Sequence, residues 1–310
     1  MKLEIISKYP VKNQHPTPLL FIHGTFHGAS CWDVHFLDYF AQHGYASHAV
    51  NLRGHGNSEG REGLRWFRIA DFVEDVANTV EQLPSPPILI GHSMGGFIIQ
   101  KYLEDHIAPA AVLLSSPSPA GLLPTAIKNA HRHPLIFARV NLTLSLLPLV
   151  ATPALVREAF FSQDVPEEKM QAYWKLTQDD SFMAFLDMVA LDLPKPARVK
   201  TPLLILGAER DNMISPREIE ATARAYNTQA QIIPGVAHNS MLEQRWQSVA
   251  ERILTWLNEQ VVVNTSTQVA EPARVLPFGL RDYTLFDTPL EKRGAPAETK
   301  SQYLTGRPSK

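Results

Sequence analysis

The stretch "PPILIGHSMGGFIIQKYLE", residues 86–104, constrains this chain more than any other. An apolar run at 88–90 leads into a serine boxed by glycines, and a segment carrying Phe97, Ile98, Tyr102 and Leu103 at helical spacing follows at once. A short apolar run bounded by turn residues reads as a buried parallel strand, and the periodic segment after it as a helix packed on the same sheet. Ser93 therefore stands on a strand-to-helix turn. Gly91 and Gly95 keep β-carbons out of the crowded positions, so that the serine hydroxyl projects above the sheet edge. The pattern G-x-S-x-G alone arises in roughly one in ten chains of this size from average composition. Its meaning comes from the strand before it and the helix after it.

Strand-like and helix-like segments alternate around this turn, the pattern of a parallel sheet covered on both faces. "PLLFIHG" (18–24) reads as a strand, "WDVHFLDYFAQHG" as a helix closed by Gly44, and "YASHAVNLRG" as the next strand. "IADFVEDVANTVEQL" places Ile69, Phe72, Val73, Val76, Val80 and Leu83 on one helical face. Further strands are expected in "AAVLLSS", "TPLLILGAERD" and "AQIIPGVAH", with "WQSVAERILTWL" as the closing helix. Between Ser116 and Thr201 the chain runs far beyond the roughly 2 to 6 residues that usually join such elements. This is an inserted unit, rich in Leu, Phe, Met and Pro, with Thr152 and Pro153 set as cap and first residue of one helix and "DDSFMAFLDMVALDL" patterned as another. The expected division is thus a core of 1–116 and 201–260, a helical cap at 117–200, and an appended tail at 261–310, where periodicity gives way to Pro, Thr and charge. Phe278, Tyr283 and Phe286 are the tail residues that could pack onto a domain or a neighbouring subunit.

A serine hydroxyl is a poor nucleophile without a histidine base and a carboxylate to orient that base. In this kind of sheet the partners follow the serine in the order acid, then histidine, each after a later strand. Asp211 ends "LLILGAERD" and His238 ends "IIPGVAH", both at carboxyl ends of expected strands, where an open parallel sheet builds its sites. "SPRE" (215–218) reads as a capping box with Pro216 at the first helical position, which puts the Asp211 loop at the sheet's rim. Glu209 is the rival acid. Asp179, Asp180 and Asp187 fall in the insertion, where carboxylates are expected to face water or cap helices. The developing oxyanion needs two main-chain donors: Met94, directly after the serine, and one from "HGTF" (23–26), where Thr25 is the first choice and Phe26 the second. His23, Gly24, Phe26 and His92 are assigned to the walls of the site. His131 and His133, two residues apart, cannot share a helix face and do not suggest a metal pair.

The chain-wide balance excludes other classes. Lys and Arg total 29 against 31 Asp and Glu, with no basic run, so no nucleic-acid partner is expected. Cys31 is the only cysteine, which removes an intrachain disulfide framework and thiolate metal clusters. The N-terminus lacks the apolar core of a signal peptide, and no apolar run approaches a membrane span. The expectation is a cytoplasmic protein that at most touches a membrane surface transiently.

Taken together, "FIHGTFHGASCW", "NLRGHGNSEG", "IGHSMGG", "LGAERD" and "PGVAHNS", in this order, resemble the α/β-hydrolase superfamily, specifically its serine esterase and lysophospholipase-like members. The likeness covers roughly residues 18–258. It implies an α/β-hydrolase fold, a triad of Ser93, Asp211 and His238, an oxyanion hole of Thr25 and Met94, a helical cap, no metal and no cofactor. Fewer than twenty residues precede the first parallel strand, so the usual antiparallel hairpin at that edge is expected to shrink to the single strand "KLEIIS". The expected activity is hydrolysis of a lipophilic carboxylic ester, monoacylglycerol- or lysophospholipid-like, through an acyl-serine. Thioesterase, C–C hydrolase or perhydrolase chemistry on the same triad, or a slow-turnover ligand receptor, are the alternatives, because fold and triad do not fix substrate.

Overall fold

A computed structural model of the protein describes residues 1–12 and 14–269. Met1–Thr265 forms one compact unit. Tail residues 270–310, with Phe278, Tyr283 and Phe286, lie outside the described residues.

Among the described residues seven strands form one sheet: β1 (Ile5–Lys8), β2 (Leu19–Ile22), β3 (Ser47–Val50), β4 (Ile88–His92), β5 (Ala111–Leu114), β6 (Leu203–Ala208) and β7 (Ala230–Ile233). Their order is β1-β3-β2-β4-β5-β6-β7. Only β1 runs antiparallel, pairing Ile5 with Val50, so the shortened edge is the single strand expected. The remaining strands pair in parallel, for example Phe21 with Ile90 and Ile90 with Val112.

Helices cover both faces. α1 (Ser30–Asp33) and α2 (Phe36–Gln42) follow β2, α3 (Ile69–Gln82) precedes β4, and α4 (Met94–Tyr102) follows it. Between β5 and β6 come α5 (Leu123–Arg132), α6 (Pro134–Thr143), α7 (Pro153–Phe160), α8 (Glu167–Lys175) and α9 (Phe182–Leu186). α10 (Pro216–Ala225) and α11 (Trp246–Val269) close the order. Because successive strand side chains point to opposite faces, Phe21, Ile90, Val112 and Leu206 join Trp32, Phe36 and Ile253 in one core. Ile22, Leu89, Leu113 and Ile205 join Phe72, Phe97 and Ile219 in the other. Truncating a ring as deeply buried as Phe72 or Phe97 to alanine costs on the order of 3–5 kcal/mol.

One expected helix divides. "WDVHFLDYFAQHG" breaks between α1 and α2, where His35 leaves the helical conformation (φ −144°) and stacks on Trp246 with ring centroids 4.5 Å apart. The turn at Gly44 stands as expected, at φ 93°. Thr152 caps α7, accepting from Leu155 N at 3.3 Å, and Ser215 and Glu218 form the capping box of α10.

The chain leaves β2 toward β3 on one side and leaves β4 toward β5 on the other. The crevice between the carboxyl ends of β2 and β4 is therefore the topological switch point, where open α/β sheets place their ligands. Two loops meet there: residues 23–28 after β2, and Ser93 after β4.

Candidate active site

Ser93 sits at φ 50°, ψ −118°, in a conformation that a non-glycine residue holds only when its surroundings impose it. Its N–H donates to Leu114 O of the neighbouring strand at 2.9 Å and its carbonyl accepts from Phe97 N at 3.1 Å, so the turn is pinned on both sides. The flanking glycines are required by space. A β-carbon on Gly91 would stand 2.5 Å from the main chain of Gly95, and one on Gly95 would collide with the carbonyl of Ile22.

Asp211 and His238 converge from the loops after β6 and β7. Asp211 Oδ1 accepts from Met213 N and Ile214 N, each at 2.8 Å, and its Oδ2 accepts from His238 Nδ1 at 2.8 Å. Both side chains are buried. A carboxylate at Nδ1 fixes the proton there and leaves Nε2 as the basic nitrogen. Ser93 and His238 line one cavity of about 120 Å³, together with Thr25 and Phe26. Among the described residues no hydrogen bond joins the Ser93 hydroxyl to the ring. Glu209, the rival acid, is turned away and accepts from Gly235 N at 2.8 Å.

The histidines expected in the walls are buried. His92 Nε2 donates to the carbonyl of His238 at 3.0 Å, while His23 Nδ1 donates to Gly24 O at 3.0 Å and its Nε2 accepts from Leu52 N at 3.2 Å. Burial, reinforced by neighbouring imidazoles, pushes His23 down to about 3, His27 to about 4 and His92 well below the usual range, so all three are neutral at pH 7. His131 and His133 do not converge: one bonds Ile127 O at 2.9 Å, the other lies 3.0 Å from Glu158 Oε1.

Two main-chain N–H groups are candidates for the oxyanion donors. Met94 is the first residue of α4, so its N–H has no intrahelical partner. On the β2 side, Phe26 N–H is committed to Asp180 Oδ2 at 2.9 Å, whereas Thr25 N–H has no protein acceptor among the described residues. Of the two candidates, Thr25 is the one left available. Gly24 lies so close to the elbow that a β-carbon there would come within 2.8 Å of His92 Nδ1.

Of the two expectations for the insertion carboxylates, facing water or capping helices, the second describes Asp179 and Asp187. Asp180 and Asp187 do not face water; they are 1% and 0% exposed. Asp187 accepts from the Arg68 guanidinium and from Ile69 N at 3.0 Å, capping α3 from a distance, and Asp179 accepts from Leu146 N and Leu147 N. Asp180 accepts from Phe26 N and, at 2.6 Å, from Ser181 N, and its Oδ2 lies 3.2 Å from His55 Nε2 without the alignment of a hydrogen bond. Burial alone would raise its carboxyl, but His55 and the two N–H donors outweigh this and hold it below the usual carboxylate range. Asn239 also lines the cavity and bonds His27 Nε2 at 3.0 Å.

Away from Ser93 the cavity is apolar, with Ile136, Phe137, Leu146, Leu149, Phe185 and Met188 in its walls. Its polar part holds Glu158, contacted by Arg132 Nε at 2.6 Å and by His133.

Residues 19–252 match the sequence pattern of the Alpha/beta hydrolase family. The AB hydrolase superfamily protein YisY of Bacillus subtilis is 28% identical over 242 residues, covering 74% of this chain and 88% of that protein. A monoacylglycerol lipase of Mycolicibacterium smegmatis is 25% identical over 242 residues, covering 72% and 81%. Among solved structures, a thermophilic esterase from Thermogutta terrifontis superposes with a TM-score of 0.64 at 20% identity, over 83% of this chain and 93% of that one.

Proposed function

The chain belongs to the alpha/beta hydrolase family, and on that premise we propose that it is a serine hydrolase cleaving lipophilic carboxylic esters, monoacylglycerol- or lysophospholipid-like, through an acyl-serine intermediate. The observation that carries this reading is the buried Asp211–His238 pair, 2.8 Å apart, opening on the same cavity as the strained Ser93. Residues 117–200 serve in it as a cap over the core of 1–116 and 201–260, and 261–310 as an appended tail.

In the proposed reaction Ser93 Oγ attacks the ester carbonyl carbon while its proton passes to His238 Nε2. Asp211 holds the ring in the required tautomer and stabilises the imidazolium. The carbonyl oxygen becomes an oxyanion facing Thr25 N–H and Met94 N–H, donors whose removal from such sites typically costs about 2.7–4 kcal/mol each. Collapse expels the alcohol, which takes the proton from His238. Water, deprotonated by the same nitrogen, then attacks the acyl carbon, the carboxylic acid leaves, and the proton returns to Ser93.

The apolar walls support a lipophilic acyl chain, since each buried methylene contributes about 0.8 kcal/mol. The likeness to a monoacylglycerol lipase points the same way. Labelling with a fluorophosphonate probe tests the reading. Modification is expected at Ser93 and lost in Ser93→Ala; a protein that stays unlabelled, or labels elsewhere, overturns it.

A further inference from the structure

The loop that carries Thr25 is held from outside the sheet. Phe26 sits at φ 70°, in the left-handed region that an aromatic residue leaves unless its neighbours hold it there. Both of its main-chain polar groups are tied to the segment between β5 and β6. Its N–H donates to Asp180 Oδ2 at 2.9 Å, and its carbonyl accepts from Gln178 N at 3.0 Å. The next carbonyl, of His27, accepts from Gln178 Nε2 at 3.0 Å, and Gln178 Oε1 accepts from Arg61 at 2.8 Å.

Burying a carboxylate is expensive, and a residue that only filled space would serve better as an apolar side chain. Asp180 is 1% exposed, yet it is fully engaged, with Ser181 N on one oxygen and Phe26 N on the other. Its bond to Phe26 N–H fixes the peptide plane between Thr25 and Phe26. On the other side of Thr25, Gly24 is wedged against His92 and Ser93 with no room for a β-carbon. The peptide that bears Thr25 N–H is therefore clamped at both ends.

We infer that Asp180 is a positioning residue for the oxyanion hole: by holding Phe26 N–H it sets the direction of Thr25 N–H, so that the hole is complete only when residues 178–181 are seated on the loop. The inference rests on the reading of Thr25 as an oxyanion donor. It assigns to the segment between β5 and β6 a part in stabilising the transition state, beyond lining the cavity. Asparagine cannot replace the carboxylate, because Ser181 N and Phe26 N donate to different oxygens, and an amide would turn its NH₂ toward one of these donors.

The test compares wild type, Ser93→Ala, Asp180→Asn and Gln178→Ala in turnover of p-nitrophenyl hexanoate and in inhibition by a hexyl trifluoromethyl ketone, whose adduct with serine carries the oxyanion. Asp180→Asn is expected to lower kcat by about 10- to 100-fold, less than the roughly 10²- to 10³-fold seen when a donor is deleted outright. KM should stay within about threefold, and ketone affinity should fall by the same factor as kcat/KM. A purely structural role would lower melting temperature and active fraction while leaving the ketone affinity of the folded enzyme unchanged, and that result overturns the inference. If Asp180→Asn does not fold, Gln178→Ala, whose side chain is half-buried, carries the test: a kcat loss of about 3- to 10-fold at unchanged KM is expected, and no loss overturns it. Turnover that survives Ser93→Ala instead overturns the reading of the site as a whole.

Discussion

His92 Nε2 donates to the main-chain carbonyl of His238 across 3.0 Å, tying the residue beside the nucleophile to the backbone of the proposed base. Both rings are buried, with centroids 4.8 Å apart. His92→Leu removes the donor and leaves that carbonyl unpaired in the interior, which costs about 1–3 kcal/mol. The expected outcome is a lower melting temperature and a kcat reduced about tenfold or more. A variant with wild-type values of both would show that the bond does not position the base.

Ser93→Ala and His238→Ala should each abolish nearly all ester turnover, with losses on the order of 10⁶-fold, because such residues act only as a unit. Far-UV circular dichroism should be unchanged. More than about a tenth of wild-type kcat in either folded variant would rule out the triad.

Asp211→Asn is expected to cost on the order of 10⁴-fold in kcat, since the amide favours the wrong histidine tautomer. Glu209→Gln should cost little, because its amide oxygen can still accept from Gly235 N. Steady-state kinetics of the two variants side by side checks the assignment, and a reversed order would move the acid to Glu209.

Stability should fall as pH drops below about 6.5. The unfolded chain protonates its histidines there, whereas folded His23 and His27 take a proton only near 3 and 4, and His92 is shifted the same way. Between those limits the unfolded state binds more protons, so each residue removes about 1.4 kcal/mol per pH unit. Stability from this source is fully present above pH 6.5 and is lost toward pH 3–4; Asp180, held low, adds a loss of the same sign at the acid end. Urea midpoints should be level from pH 7 to 9 and fall steeply from 6.5 to 5. A midpoint that is flat down to pH 5 would mean these histidines are not held neutral.

For p-nitrophenyl esters, kcat/KM should rise from acetate to at least hexanoate, close to fourfold per methylene while the walls accept more chain. Ala126 lines the cavity, so Ala126→Phe should move the optimum to shorter esters with little effect on acetate. An optimum at acetate in the wild type would exclude the lipophilic pocket.

β2, β4, β5 and β6 were legible because each holds a short apolar run between turn signals, whereas β3 and β7 were read from the alternation of strands and helices around them; Ser93, Asp211 and His238 then fell at the carboxyl ends of β4, β6 and β7. Periodicity could not show the break at His35, because that ring stacks on Trp246 from a helix more than two hundred residues later. The burial of Asp180 was equally invisible. Two adjacent aspartates before a helix-capping serine read as groups that face water or cap a helix, and only the fold brings Asp180 to Phe26 and His55. The choice between Thr25 and Phe26 turned on the same contact. Its one trace in the sequence is an ionisable residue directly before an apolar helix, a signal shared by most helix starts.

β5 and β6 pair in register, Ala111 with Leu203, although residues 115–202 separate the two strands. Closing a loop of that size costs roughly 4 kcal/mol, and doubling its length adds only about 0.6 kcal/mol. The sheet therefore places almost no thermodynamic limit on what is spliced between these strands. Variation in that segment can rewrite the walls of the cavity while the catalytic core folds as before, with one restriction: whatever replaces it must still deliver a carboxylate to the N–H of Phe26.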